Sequence, residues 1–166
     1  GWDDYTDDSG RTVYLNGQYE IQINKAEWLY WTNPDKYFGD VIIEVWFEVN
    51  VSAVEGDIGI LCRYHDPDNF VALEITEDGY ANIWKYLDGE YMEIAEWRYI
   101  AIDPIVGRNK LTASCIEDQY NLYYNDELVI SGQDDSFRNG DVGLIAGTWE
   151  AIGLSVLFDD FKVTAP

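Results

Sequence analysis

The chain has 166 residues, 47% hydrophobic and 16% aromatic, and its 10 lysines and arginines stand against 32 aspartates and glutamates, for a formal net charge of −22. A surface this acidic lacks the cations that displace counterions from phosphate, so nucleic acid and anionic membranes are poor partners. The length suits one core better than two, which predicts a single domain over residues 1–166. No apolar stretch approaches the ~20 residues needed to cross a bilayer, which predicts no direct membrane insertion. No signal-like segment opens the chain either, and Gly1 reads as a processed start.

In chain order, residues 18–24 alternate apolar and polar, residues 27–32 form a short aromatic segment, and residues 40–50 form the longest strand candidate. Strands follow over 57–64, 69–76 and 80–86. The Asp78-Gly79 and Asp88-Gly89 pairs between and after them favour the positive backbone angles of tight turns. Residues 97–108 lack alternation and contain Pro104 and Gly107, which predicts one long crossover loop. From Asn109 onward the pattern is a run of short strands. Leu111, Ala113 and Cys115 alternate with polar neighbours, as do Tyr120, Leu122 and Tyr124, and Asn125-Asp126 before Leu128 is a hairpin signal. Residues 140–147 give an apolar strand with glycines where a side chain would crowd a neighbour, and residues 156–163 give the last strand. The pattern is that of an all-β, two-sheet antiparallel sandwich.

Alternation in residues 40–50 puts Val41, Ile43, Val45, Phe47 and Val49 on one face, which must be core. At ~1.5–3 kcal/mol per buried side chain, this strand is a main organiser of the fold. The opposite face carries Ile42, Glu44, Trp46, Glu48 and Asn50, a tryptophan between two glutamates facing solvent. Cys62 and Cys115 occupy inward positions of two strands, where two thiols either pair or stay free as small hydrophobes.

The strand at Asn109, the Tyr123-Tyr124-Asn125-Asp126-Glu127 hairpin, Asp135-Ser136-Phe137, the 140–147 glycine strand and Phe158-Asp159-Asp160-Phe161, together with residues 59–70, resemble the concanavalin A-like lectin/glucanase superfamily. Within it the chain is most similar to laminin-G-like and glycoside-hydrolase-16-like extracellular modules of bacterial surface proteins. The resemblance spans nearly the whole chain and implies a jelly-roll sandwich, secreted or at the cell surface. It also implies that the strand bearing Trp46 lies in a concave groove. A sugar needs an exposed ring to stack on and polar groups for its hydroxyls. The expected groove therefore consists of Glu44, Trp46 and Glu48, flanked by Arg63, Glu74, Trp84 and Lys85, and makes the module a non-catalytic, lectin-like binder of a saccharide or cell-surface glycan. The remaining tryptophans, Trp28, Trp31, Trp97 and Trp149, read as core or rim filler. The alternative is an adhesion or self-assembly module whose partner is another surface protein.

A glycoside hydrolase of the glucanase branch would carry three acids on alternate residues of that strand, but Trp46 stands between Glu44 and Glu48. Those two carboxyls lie ~13 Å apart at strand rise, beyond the ~5–9.5 Å of glycosidases. No catalytic residue is assigned. The resemblance implies one further feature, since the first and last strands of these folds tend to lie side by side. Asp3 and Asp4 would then meet Asp159 and Asp160, and the four carboxylates would hold a structural Ca²⁺. Asp66, Asp68 and Asn69 read instead as a turn cap.

Overall fold

The computed structural model describes residues 2–102 and 105–166, so Pro104 of the expected crossover lies outside the described residues. The described residues contain fourteen strands and no helix. In chain order these are β1 (Tyr5–Asp7), β2 (Gly10–Leu15), β3 (Gln18–Ile23), β4 (Trp28–Thr32), β5 (Val41–Val51), β6 (Asp57–Asp66) and β7 (Asn69–Thr76). They continue as β8 (Tyr80–Leu87), β9 (Glu90–Tyr99), β10 (Arg108–Ile116), β11 (Gln119–Tyr124), β12 (Glu127–Gln133), β13 (Asp141–Thr148) and β14 (Leu154–Thr164). One sheet has eight strands in the order β1-β2-β3-β14-β5-β10-β11-β12, and the other has six in the order β4-β13-β6-β7-β8-β9. All pairings are antiparallel.

The core forms between the sheets because alternation sends one apolar residue in two toward the middle. Val41, Ile43, Val45 and Phe47 of β5 are all 4% exposed or less, and Val49 packs against them half-buried. They face Ile58 and Ile60 of β6, Val71, Leu73 and Ile75 of β7, and Val142, Leu144 and Ala146 of β13 in one cluster. The six-stranded sheet is unusual in carrying a second buried cluster on its outer face. Leu61, Phe70, Ala72, Trp84 and Ile145 pack there under Leu29, Trp31, Tyr64 and Tyr86.

The hairpin signals correspond to real turns. Asn125 and Asp126 join β11 to β12 with φ of 46° and 71°, and two positive angles are what a two-residue hairpin requires. Asp88 (φ 52°) and Gly89 (φ 77°) do the same between β8 and β9. Asp66 accepts from the Asp68 backbone N–H at 2.9 Å and from Asn69, so that trio caps its turn as expected.

Cys62 on β6 and Cys115 on β10 are joined by a disulfide, with Cα atoms 6.7 Å apart, that ties one sheet to the other. Beside it β6 bulges, and Arg63 takes a positive φ of 55°. The bulge turns its guanidinium toward the eight-stranded sheet, where it is 1% exposed and donates to Asp40 Oδ1 at 2.8 Å, to the Cys115 carbonyl at 3.1 Å and to the Gly39 carbonyl. The Arg63 guanidinium, helped by the Glu117 backbone N–H, holds the Asp40 carboxyl below its ordinary pKa.

Candidate functional site

An aromatic-lined cavity opens on the outer face of the six-stranded sheet. Because Ile58, Leu73, Ile75 and Ile83 point into the core, their neighbours Asp57, Glu74, Asn82 and Trp84 must point outward. Glu74 pairs across the ladder with Gly59 and with Asn82, and Asp57 pairs with Gly147 and Thr76. The two glycines make room for the carboxylates. A Cβ at Gly59 would lie 2.6 Å from Glu74 Cγ, and one at Gly147 would lie 3.0 Å from Asp57 Oδ2. Asp57 and Glu74 thus lie close against the sheet as diagonal neighbours on one face, a separation of ~7–8 Å between backbones.

Aromatic rings wall this floor. Trp28 and Leu29 come from β4, Trp84 and Tyr86 from β8, Tyr91 and Trp97 from the edge strand β9, and Trp149 from the bend after β13, with Glu27 and Thr148 completing a cavity of about 370 Å³. The rings brace one another: Trp84 and Tyr91 have centroids 5.3 Å apart, and Trp97 and Trp149 6.3 Å. The bend that carries Trp149 is fixed to the start of β4 by a hydrogen bond from the Glu27 N–H to the Trp149 carbonyl at 2.8 Å. Two indoles also reach the floor. Trp149 Nε1 donates to Asp57 Oδ1 at 3.1 Å, and Trp84 Nε1 donates to Glu74 Oε2.

The floor remains short of partners. Glu74 is 2% exposed and Asn82 fully buried, yet Glu74 Oε1 and both polar atoms of the Asn82 side chain make no hydrogen bond. Such atoms are costly unless something supplies the missing contacts. Burial pushes the Asp57 carboxyl up to about 7, with Asp78 adding to the rise and the Trp149 hydrogen bond opposing it. Burial also raises the Glu74 carboxyl, reinforced by the charge of Asp57. Two carboxyl groups facing one cup with raised pKa values are a functional-site signature.

The seven residues expected to share a groove fall in four places. Glu44, Trp46 and Glu48 lie on the outer face of the eight-stranded sheet, away from the cavity. Trp46 is covered there by Arg108, 5.1 Å from its ring centroid, and by Lys110 at 5.8 Å, while Glu44 sits within 3.9 Å of Lys110 and 3.5 Å of Lys162. Arg63 is the inter-sheet tie already described. Lys85 points inward at the open edge of the sandwich and donates to Ser136 Oγ at 2.6 Å and to Asp134. Glu74 and Trp84 alone of the seven line the cavity. The correction has a simple cause: strands from residues 57–86 build the other sheet, so their outer face is turned away from that of β5.

Sequence reasoning passed over Asp57 and Asn82 and took Trp28, Trp97 and Trp149 for filler, although all three indoles line the cavity; Trp31 alone packs as filler, against Phe70 at 5.7 Å. The available signal was an outward-facing glycine inside an apolar strand, which marks a close approach. Gly59 is such a residue.

At the chain ends, Trp2 reaches Phe161 with centroids 4.9 Å apart, although β14 is flanked by β3 and β5 and not by β1. Asp4 accepts from the Tyr14 backbone N–H at 2.9 Å, the Asp3 carbonyl from the Tyr19 hydroxyl at 2.6 Å, and Asp159 and Asp160 face Arg108. Among the described residues, no group of three or more His, Cys, Asp or Glu side chains is arranged to hold a metal ion.

No protein family and no curated protein matches the chain. Its fold is shared by many solved structures. The carbohydrate binding module CBM66 from Bacillus subtilis superposes with a TM-score of 0.80 at 17% identity, over 99% of this chain and 96% of that one. The β-glucanase of Bacillus licheniformis superposes at 0.70 with 9% identity, over 99% and 92%. Sheep galectin-11 in complex with glycerol superposes at 0.59 with 8% identity, over 84% and 98%. At these identities the likeness establishes architecture, and the fold of the chain is a two-sheet antiparallel jelly-roll sandwich.

Proposed function

We propose that the domain is a carbohydrate-binding module whose ligand enters the aromatic cup on the six-stranded sheet. The observation that carries this reading is the combination of aromatic walls with a buried floor in which Glu74 Oε1 has no partner. A sugar ring offers both complements, C–H faces for the indoles and hydroxyls for the floor. The solved binding module and galectin of the same fold are in accord with that use. The inter-sheet disulfide supports a secreted or cell-surface setting, where such bridges persist.

Binding is favoured over hydrolysis. A glycosidase presents two carboxyl groups to the scissile bond, whereas Glu74 is 2% exposed with Oε2 held by the Trp84 indole N–H, and Asp57 Oδ1 is held by that of Trp149. A glycan array followed by calorimetry on the best hit tests the proposal. Selective binding that is lost in Glu74→Gln supports it, release of reducing ends from the hit would reassign the domain as an enzyme, and a blank array would favour a protein-adhesion role. A structural Ca²⁺ bound by Asp3, Asp4, Asp159 and Asp160 is a separate proposal that rests on the approach of Trp2 to Phe161. It requires Arg108 to release its two aspartates, and equal melting temperatures in EDTA and in calcium would dismiss it.

A further inference from the structure

We propose, building on the saccharide-binding reading of the same cup, that its preferred ligand is an amino sugar whose ammonium group seats against Asp57 and Glu74 while its ring stacks on the tryptophans. The charge of the lining is one-sided. Among the described residues, the cavity is lined by three carboxylates, Glu27, Asp57 and Glu74, and by no lysine or arginine. Uronic or sulfated sugars would meet only repulsion there.

The walls select in the same direction. An indole or phenol presents the negative face of its quadrupole, which attracts a cation more strongly than a neutral hydroxyl. One wall already shows this, with the Lys25 ammonium 3.9 Å from the ring centroid of Trp28. The floor supplies the counter-charge. Glu74 Oε1 is buried without a donor, and its carboxyl is destabilised in the charged form by burial and by Asp57. A ligand ammonium has three donors and a full positive charge. It would satisfy the orphaned oxygen and relieve the repulsion between the two acids, which a hydroxyl does only in part.

Proton linkage separates the two kinds of ligand. The groups around the pair are Asp78 in the β7–β8 turn, Tyr91 and Glu93 on β9, Glu27 ahead of β4, and Lys25 beside Trp28. Apart from Lys25 all are acids, so the cup has no internal cation to neutralise the floor. Seating an ammonium lowers the carboxyl pKa values and drives protons off, so affinity should rise from about pH 5 to about pH 7. A neutral sugar held by protonated carboxyls should show no such rise.

Calorimetry with β-1,4-linked tetramers of glucosamine, N-acetylglucosamine and glucose, in 0.15 M salt to screen surface attraction, tests the inference. The glucosamine tetramer should bind at least about tenfold more tightly than the other two, a factor worth about 1.4 kcal/mol, with net proton release detected in buffers of different ionisation enthalpy. Glu74→Gln should erase that preference, with melting curves confirming that the variant is folded. Equal or tighter binding of either neutral tetramer overturns the inference and leaves the saccharide reading standing. Glucosamine binding that survives both Glu74→Gln and Trp149→Ala is attraction to the acidic surface, and also overturns it. If no tetramer binds, the array decides: an amine-bearing hit supports the inference, a hit without an amine overturns it alone, and a blank array overturns both readings.

Discussion

Trp149 Nε1 donates to Asp57 Oδ1 at 3.1 Å, so an indole that is half exposed on its bend is anchored to a carboxyl buried in the floor of the cup. The bond couples the shape of the cavity to the protonation state of one acid. Its donor favours the ionised form, but burial prevails and Asp57 titrates near about 7 in the folded chain, against an ordinary value of 3.8.

The consequence for stability follows from linkage. Between those two pH values the folded state binds more protons than the unfolded state, so the contribution of Asp57 is fully present below about pH 4 and is lost as the pH rises through about 7. Glu74 acts in the same direction. Asp57→Asn retains an oxygen for Trp149 and abolishes the titration. The stability of this variant relative to the parent should therefore increase between pH 4 and pH 8 by up to about 4 kcal/mol. Urea unfolding of both proteins across that range checks it, and a constant difference would show that Asp57 is ionised throughout.

The Cys62–Cys115 bridge closes a span of 53 residues between the sheets. Chain-entropy reasoning assigns such a loop about 4 kcal/mol of stabilisation through the unfolded state. The double variant Cys62→Ala/Cys115→Ala should unfold at lower urea concentration by that order, with the cup's ligand affinity unchanged because the bridge lies on the opposite face of the sheet from Asp57 and Glu74. A loss of affinity in a folded double variant would show that the spacing of the sheets shapes the cup.

Much of the fold was legible because one face of β5 obeys strict alternation, and because Asp88-Gly89 and Asn125-Asp126 have the chemistry their turns require. The site was less legible for a physical reason. Strands β6, β7, β8 and β13 are buried on both faces over most of their length, and a strand buried on both sides loses the alternation that tells inside from outside. Trp84 was therefore expected beside the Trp46 face of β5, whereas it lies on the other sheet. Trp46 shows the converse case. A tryptophan between two glutamates has the composition of a sugar platform, but Arg108 and Lys110 come from the neighbouring strand β10 and cover it, which only the register reveals. The edge strand β9, which supplies Tyr91 and Trp97, is exposed at most positions and gives no hydrophobic pattern at all.

Arg63 makes a prediction of its own. Its guanidinium is 1% exposed, and it satisfies the Cys115 carbonyl on β10 and the Gly39 carbonyl and Asp40 carboxylate just ahead of β5, a geometry that needs several N–H donors fixed in a plane. Arg63→Ala should cost about 3–5 kcal/mol because those acceptors stay behind without a donor. Arg63→Lys should recover only part of that, since an ammonium on a flexible stem cannot reach all three acceptors together. Denaturant midpoints of the two variants test this, and a lysine variant as stable as the parent would show that the charge alone matters.

The two faces of the sandwich are separated by a pair of tryptophan variants. Trp149 is 47% exposed on a bend and lines the cavity, so truncating it removes ligand contact with little loss of core. Trp149→Ala should weaken binding of the best array hit by at least about tenfold, the order of a single stacking contact with an indole. Its melting temperature should fall by no more than a few degrees, since only the bond to Asp57 and the contact with Trp97 are lost. Trp46→Ala, on the eight-stranded sheet, should leave binding within error of the parent and cost about 1 kcal/mol or less, because it removes two partly exposed cation–π contacts. Calorimetry and thermal melting of both variants distinguish the faces: loss of binding in Trp46→Ala with binding intact in Trp149→Ala would move the site to the opposite sheet and refute the cup.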